Sequence, residues 1–415
     1  MKSLANINSP NFTTVGKILS SDPTCIKATL PGCFIGELVE IESPRSYAVA
    51  RAFTDNKVVL QPISNIDRLV PYSRVRGLRK KASFKLAAEP FGQIFNALGE
   101  PLKCSSEDKN YQELEIEAQR LSPTSRVSKT AQLETGIKAI DQFTPLGLGQ
   151  RVVVIAPPGC GKSTLLTNLT KSTGADIVVT ALIGERGREV QSFYEKSKQL
   201  NSSAKQIIIS STADENPIKK VLAGKAAFSV AEHYSNEGAN VLLLFDSLTR
   251  YLRALRDVGL ASGELPIRQG YPASVFDDLP KLIERAGNYK SGSITAVLTM
   301  LSNNSIDEDP MLNEVMGVVD GHIRLRPDLA QLNHYPAIDI ADSLSRFTEM
   351  FKTNEESKVS GEFKKIFTEH FTSSLLSSGE QHPKSSALNK FLVQDSDSYY
   401  SLDESSSEMR KLIEL

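Results

Sequence analysis

The chain has 415 residues, 40% of them hydrophobic, and its 48 basic against 49 acidic side chains leave a net charge of -1. That balance supplies no global attraction to nucleic acid, although a local basic face stays open. At roughly 100 to 200 residues per domain the length accommodates two to four domains.

No apolar run approaches the ~18 residues that span a bilayer. The start, "MKSLANINSPNFTTVG", has one lysine and lacks the apolar core of a secretory signal. Cys25, Cys33, Cys104 and Cys160 show no paired spacing. Free thiols in a reducing cytoplasm fit them better than a disulfide framework or a zinc site. The expectation is a soluble cytoplasmic protein of several domains.

In chain order, residues 14 to about 87 hold short apolar segments, "TVGKIL", "CIKATL", "GELVEI", "SYAVARAF" and "KVVLQPI", broken by Asp-Pro, Pro-Gly, Ser-Pro and Asp-Asn. This texture predicts a small all-β sandwich or barrel over 1–87. Arg74, Arg76, Arg79, Lys80 and Lys81 form a basic cluster without interleaved aromatics, read as a solvated face. "SSEDKN" (105–110) has linker character. From about Leu133 apolar strands alternate with longer helical runs: "RVVVIA", "DIVVTALI", "QIIISST", "NVLLLFD" and "SITAVLTML" are strands, "KSTLLTNLTK" and "NPIKKVLAGKAAFSVAEHY" helices. That alternation predicts a parallel sheet with crossover helices, assigned to 88–350. Beyond Arg346 the pattern turns helical, with Phe363, Ile366, Phe367, Phe371 and Leu375 on one face. A helical domain is expected over 351–415, ending in a loose, acidic, serine-rich tail, "QDSDSYYSLDESSS".

The chemistry concentrates in "VVVIAPPGCGKSTLL" (152–166), which fits G-x-x-x-x-G-K-[ST] except for Ala156 at the first position. Gly159 and Gly161 can take conformations closed to other residues, so the backbone N–H groups of the turn can point at phosphate oxygens. Lys162 supplies a point charge to the β- and γ-phosphates, and Ser163 a hydroxyl to Mg²⁺. An ordinary strand-to-helix turn that contains lysine by chance is the plainer alternative, and the flanking strand and helix weigh against it. "NVLLLFDSLTR" then supplies an apolar strand ending in Asp246, placed to hold Mg²⁺ through water. "ALIGERGREV" (181–190) ends the next strand with Glu185, positioned to polarise an attacking water, and Arg186, which could contact phosphate. On composition alone that loop reads as a solvated charge cluster.

Together these segments resemble the hexameric RecA-type ATPases of the rotary ATP synthase class, and more closely the flagellar and type III secretion export ATPases. The resemblance is carried by "LETGIKAIDQFTPLGLGQRVVVIAPPGCGKSTLL", "ALIGERGREV", "ADENP", "LLFDSLTRYLRALRDVGLASGELPIRQGYPASVFDDLPKLIERAG" and "VVDGHIRLRPDLAQLNHYPAIDIADSLSR". The N-terminal "GCFIGELVEI" and "GQIFNALGEPL" look like that family's barrel and connecting segment. The match covers residues 14 to about 350, and such relatives also carry alanine at the first turn position.

The resemblance implies an α/β fold with a RecA-like P-loop core, an N-terminal β-barrel and a C-terminal helical domain. It implies ATP and Mg²⁺ as cofactors, with nucleotide held by Gly159, Cys160, Gly161, Lys162, Ser163, Thr164 and Tyr335. It further implies Glu185 as general base, Arg346 as an arginine finger reaching a neighbouring subunit, and "GYPASVF" (270–276) as a loop facing a central stalk protein. For Tyr335 and Arg346 the residues by themselves suggest core packing and a surface ion pair. Within the turn, Cys160 is similar to the injectisome type and Ser163-Thr164 to the flagellar type, while Pro157 and Pro158 stiffen it. The implied partners are further copies forming a homohexamer, the stalk, and export-gate and chaperone–substrate proteins. No nucleic acid is implied, and the place is cytoplasmic, peripheral to the inner-membrane export apparatus through partners only. Similarity drops after Arg346. The competing readings are a terminator-like hexameric nucleic-acid translocase and a non-hydrolysing structural subunit. Neutral charge opposes the first, and the set Lys162, Ser163, Glu185, Asp246 and Arg346 opposes the second.

Overall fold

The computed structural model describes residues 14–413 apart from 23, 65, 67, 104–109, 118–122, 128–129, 173, 200–203, 302–308, 376–382 and 397, and apart from the side chains of 370–375, 383–385 and 413. Cys104, most of the 105–110 linker, and the side chains of Phe371 and Leu375 therefore lie outside the described residues. Cys25, Cys33 and Cys160 are free thiols.

Six strands, β1 (Val15–Ser21), β2 (Ile26–Thr29), β3 (Glu37–Glu42), β4 (Arg45–Thr54), β5 (Lys57–Pro62) and β6 (Arg74–Lys81), close into a barrel in the order β1-β2-β5-β4-β3-β6. Alternation sends Ile18, Ile26, Val39, Ile41, Val58, Leu60 and Val75 into one interior cluster. The basic cluster at 74–81 is the closing strand, and its basic side chains form the solvated face expected of them. Val75 and Gly77 are buried, while Arg76 pairs with Glu42 (3.4 Å), Lys80 with Glu113 (3.1 Å) and Lys81 with Glu117 (2.5 Å).

After the barrel, β7 (Ser83–Ala87) pairs with β9 (Tyr111–Glu115), and between them β8 (Gln93–Phe95) joins the edge of the main sheet. A short ribbon, β10 (Gln132–Leu133) and β11 (Leu146–Gly147), brackets α1 (Lys138–Phe143). The alternating unit follows: β12 (Arg151–Ile155), α2 (Lys162–Leu169), β13 (Ile177–Glu185), α3 (Gly187–Gln199), β14 (Lys205–Thr212), α4 (Pro217–Asn236), β15 (Asn240–Asp246) and α5 (Leu248–Ala261). A hairpin, β16 (Pro266–Arg268) and β17 (Tyr271–Pro272), leads to α6 (Ala273–Ile283), β18 (Gly287–Asn288), β19 (Ser293–Met300), α7 (Pro310–Val318), β20 (Gly321–Leu325), α8 (Pro327–Gln331) and β21 (Ile338–Ser345).

The main sheet runs β21-β20-β12-β19-β15-β13-β14-β8, parallel except for the antiparallel edge strand β21, with β18 attached antiparallel to β19. All nine residues of β13 and all eight of β19 are buried, as helices on both faces require. Parallel strands with crossovers bring their C-terminal ends to one edge, which is why residues from β12, β13, β15 and β19 can meet there.

The C-terminal part consists of α9 (Thr348–Phe351), α10 (Asn354–Leu375), α11 (Pro383–Leu392) and α12 (Leu402–Ile413). Phe363, Ile366 and Phe367 pack with Leu388, Phe391, Leu392 and Met409 in the cluster on one face of the sheet. The expected loose tail is instead docked. Tyr399 donates to Glu134 (2.7 Å), the Lys138 ammonium lies 3.8 Å from the Tyr400 ring centre, and Ser401 opens α12. The serine and acidic residues that suggested looseness form a capping box. Ser401 Oγ accepts from the Glu404 N–H (3.2 Å) and Glu404 Oε2 accepts from the Ser401 N–H (2.9 Å). Ser401→Ala is therefore expected to speed hydrogen exchange of the α12 amides about fivefold, the usual size of a lost cap. Mass-spectrometric exchange over 402–413 measures it, and unchanged rates would show that the cap does not hold this helix.

Candidate active site

β12 delivers the chain into Ala156-Pro157-Pro158-Gly159-Cys160-Gly161, and Ala156 N still donates to Met300 O at 2.9 Å. Gly159 (φ +84°) and Gly161 (φ +81°) occupy the left-handed region, where a side chain is strained. A Cβ on Gly161 would also come within 3.1 Å of the Tyr335 ring. The Tyr335 side of the site thus lies directly over the turn. α2 begins at Lys162 without a side-chain cap, so its first N–H groups and dipole face outward as an anion-binding end. Ser163 and Thr164, in its first turn, are exposed. Cys160 is buried and burial pushes its thiol up, with Asp328 adding to the shift; it serves here as a small packed residue.

Lys162 Nζ donates to Asp246 Oδ1 and lies 3.4 Å from Glu185 Oε1. Asp246 Oδ1 also accepts from Thr299 Oγ1 (2.7 Å), and Glu185 Oε2 meets Arg250 Nη1 at 2.5 Å. The same Arg250 nitrogen donates to Gly184 O at 2.7 Å. Both carboxylates are only 6% exposed. Two anions taken out of water are compensated by two cations, a formally neutral quartet. Removing one member of such a set typically costs about 3–5 kcal/mol, because its partner is left buried and unpaired.

The structure therefore brings together Gly159, Cys160, Gly161, Lys162, Ser163, Thr164, Glu185, Asp246 and Tyr335. Arg186 stands apart: its side chain is exposed and its ion pair is with Glu189 at 3.9 Å. Arg346, just past β21, is exposed and forms no side-chain ion pair among the described residues, while its backbone N–H donates to Asp320 O at 3.0 Å. Sequence reasoning missed Arg250 and Thr299. Arg250 sits four residues past Asp246 at the start of α5, a cation followed by Tyr251 and Leu252, which are both buried. Thr299 is one of three buried hydroxyl residues of β19, with Ser293 and Thr295, and nothing in the strand's sequence singles it out.

The nucleotide-binding domain of the ATP synthase alpha/beta family matches residues 136–345. The chain belongs to this family. Over 359 residues it is 34% identical to the type 3 secretion system ATPase of Xanthomonas euvesicatoria, covering 86% of this chain and 81% of that protein. Over 257 residues it is 44% identical to the flagellum-specific ATP synthase of Treponema pallidum, covering 61% and 57%. Its fold superposes with a TM-score of 0.89 on the assembled ATPase EscN of the enteropathogenic E. coli type III secretion system, at 34% identity over 96% of this chain and 100% of that one. EscN in complex with its central stalk EscO gives 0.86 at 33% identity. The chain is thus an ATPase of the type III secretion and flagellar export kind.

In this ATPase Arg250→Ala is expected to lower kcat about 10- to 100-fold, since Glu185 loses its fixed orientation, with Arg250→Lys restoring part of it. Steady-state kinetics with a thermal-unfolding control tests this. A wild-type kcat in a folded Arg250→Ala enzyme would remove Arg250 from the site.

Proposed function

We propose that this ATPase hydrolyses Mg²⁺-ATP to energise protein export through a flagellar or type III secretion apparatus, as a homohexamer around a central stalk protein. The observation that carries the reading is the convergence of Lys162, Glu185, Asp246 and Arg250 behind the glycine turn, at the C-terminal edge of the parallel sheet. In this reading Lys162 and the turn's N–H groups hold the β- and γ-phosphates, and Glu185 orients the attacking water and takes its proton. Tyr335 packs on the base, and Arg186 reaches phosphate by swinging from its exposed position. We assign 1–87, 88–350 and 351–415 to the barrel, catalytic and helical units.

The donor set suits a hard cation. Ser163 presents a hydroxyl, and both hydrogen bonds that the described residues give the Asp246 carboxylate fall on Oδ1, leaving Oδ2 for a metal-bound water. Mg²⁺ held there would neutralise charge on the transferring phosphoryl group.

Arg346, exposed beyond the last sheet strand, is assigned to the neighbouring subunit's nucleotide, where it stabilises charge only in the transition state. The 270–276 segment, which runs from the turn of the β16–β17 hairpin into α6, is assigned to face the stalk, and the exposed Leu265 (80%) and Ile267 (67%) beside it offer apolar surface. EscN's recorded complex with its stalk EscO supports that partner. Among the described residues no helix is long and apolar enough to cross a membrane, and attachment at the inner membrane is assigned to export-gate and chaperone–substrate partners. The translocase reading is disfavoured by the barrel's basic strand, where Arg76, Lys80 and Lys81 are each paired with a glutamate rather than offered to phosphates.

Lys162→Ala should abolish ATP binding, whereas Glu185→Gln should bind ATP and lose about 100-fold or more in turnover. Wild-type turnover in Glu185→Gln would refute the general-base assignment. An arginine finger contributes roughly 10³- to 10⁵-fold, so Arg346→Ala should be nearly inactive, and mixing it with Lys162→Ala should restore part of the rate. No rescue on mixing, with specific activity independent of protein concentration, would refute the trans role. Single-stranded RNA or DNA at physiological salt should leave the rate unchanged; saturable stimulation would favour the translocase.

A further inference from the structure

Between α11 and α12 the described residues 393–396 and 398–400 form a largely exposed strap, of which Gln394 is the buried residue. Its backbone N–H donates to Tyr335 O at 2.7 Å. Its side-chain Nε2 donates to Gly136 O (2.7 Å) and Ser398 O (3.2 Å), and its Oε1 accepts from Lys138 N (3.2 Å). The last contact caps α1 from outside: Ile137, the local cap residue, has no side chain able to do so. A buried amide whose donor and acceptor are both used holds its neighbours firmly, because every broken bond leaves a desolvated polar group. Two further ties anchor the strap. Lys171, just past the helix that follows the glycine turn, donates to Ser396 O (2.8 Å), and the Tyr399 ring lies so near Gly136 that a Cβ there would be 2.1 Å away.

The strap thus touches the Tyr335 segment, which stands over the glycine turn, and the C-terminal end of α2, the helix whose other end follows that turn. The Tyr335 ring is 37% exposed and stands over Gly161, so its placement depends on how its backbone is held. We propose that Gln394 is a positioning residue for the nucleotide site, clamping Tyr335 through the strap so that the C-terminal helices set how tightly the base is bound. This rests on the reading that Tyr335 packs on the base. It makes the divergent C-terminal region a tuner of ATP affinity, and it leaves the phosphate chemistry untouched.

The test is a kinetic cycle on the full-length assembled protein. Gln394→Leu should raise KM for ATP about five- to twentyfold with kcat within about twofold. Inhibition by inorganic triphosphate, which probes the phosphate half alone, should not change. Tyr335→Ala should raise KM as well, and the double variant should be no worse than Tyr335→Ala. If Tyr335→Ala leaves KM unaltered, the base reading falls and takes the proposal with it. If Tyr335→Ala raises KM but folded Gln394→Leu does not, only the positioning role is overturned. The same holds if the two effects multiply, or if triphosphate inhibition weakens in parallel. Should Gln394→Leu fail to fold, Lys171→Met removes the surface tether to the strap and is expected to raise KM about two- to threefold; an unchanged KM there overturns the proposal.

Discussion

Everything at this edge of the sheet depends on pairing two buried carboxylates with cations. Glu185 and Asp246 end neighbouring parallel strands, and like charges so placed would destabilise the sheet unless cations met them. Lys162 and Arg250 arrive from α2 and α5, the helices that start at the same edge, and close the balance. The arrangement is mutually supporting: Lys162 is held by Asp246 and Glu185, and Arg250 by Glu185 and the Gly184 carbonyl. The glycine turn fits the same constraint, because only a left-handed backbone at Gly159 and Gly161 lets the chain leave β12 and start a helix at the lysine.

The surrounding architecture supports that edge from both sides. The barrel is fastened to the catalytic unit by Gln61, whose Nε2 donates to Val258 O near the end of α5, and by Asn216, which donates to Pro62 O and Ser64 O from the start of α4. Movement of either helix is therefore linked to the barrel. On the opposite side α11 and α12 pack against α1, with Phe143 and Phe391 in edge-to-face contact at 6.5 Å. The C-terminal helices and the glycine turn, through Ala156 and Cys160, consequently share one hydrophobic cluster.

Much of this organisation was legible in the residues. Turn signals every few residues marked the barrel, strand–helix alternation marked the parallel sheet, and the glycine-lysine-serine stretch marked the turn from β12 into α2. Periodicity and backbone chemistry are local, so "RVVVIA", "NVLLLFD" and "SITAVLTML" each declared a buried strand without reference to the others. The basic residues of Arg74–Lys81 are exposed as their run suggested, and only the fold shows which glutamates, Glu42, Glu113 and Glu117, pair with them at the surface. The misreading arose where the deciding partner was distant. The serine-rich tail looks loose until Glu134, Gly136 and Lys138 receive it.

The same division holds at the site. By itself the sequence determined where a glycine turn would join a strand to a helix that opens on a lysine, and which strands would end in an acid, because glycine freedom and strand periodicity are properties of adjacent residues. Only the tertiary structure decided that Arg250 and Thr299 complete the charge balance, that Arg186 and Arg346 stand outside it, and that Gln394 caps a helix 256 residues before it. Those outcomes turn on hydrogen bonds and ion pairs between segments far apart in the chain. The burial that gives such contacts their strength does not exist until the sheet has closed around them.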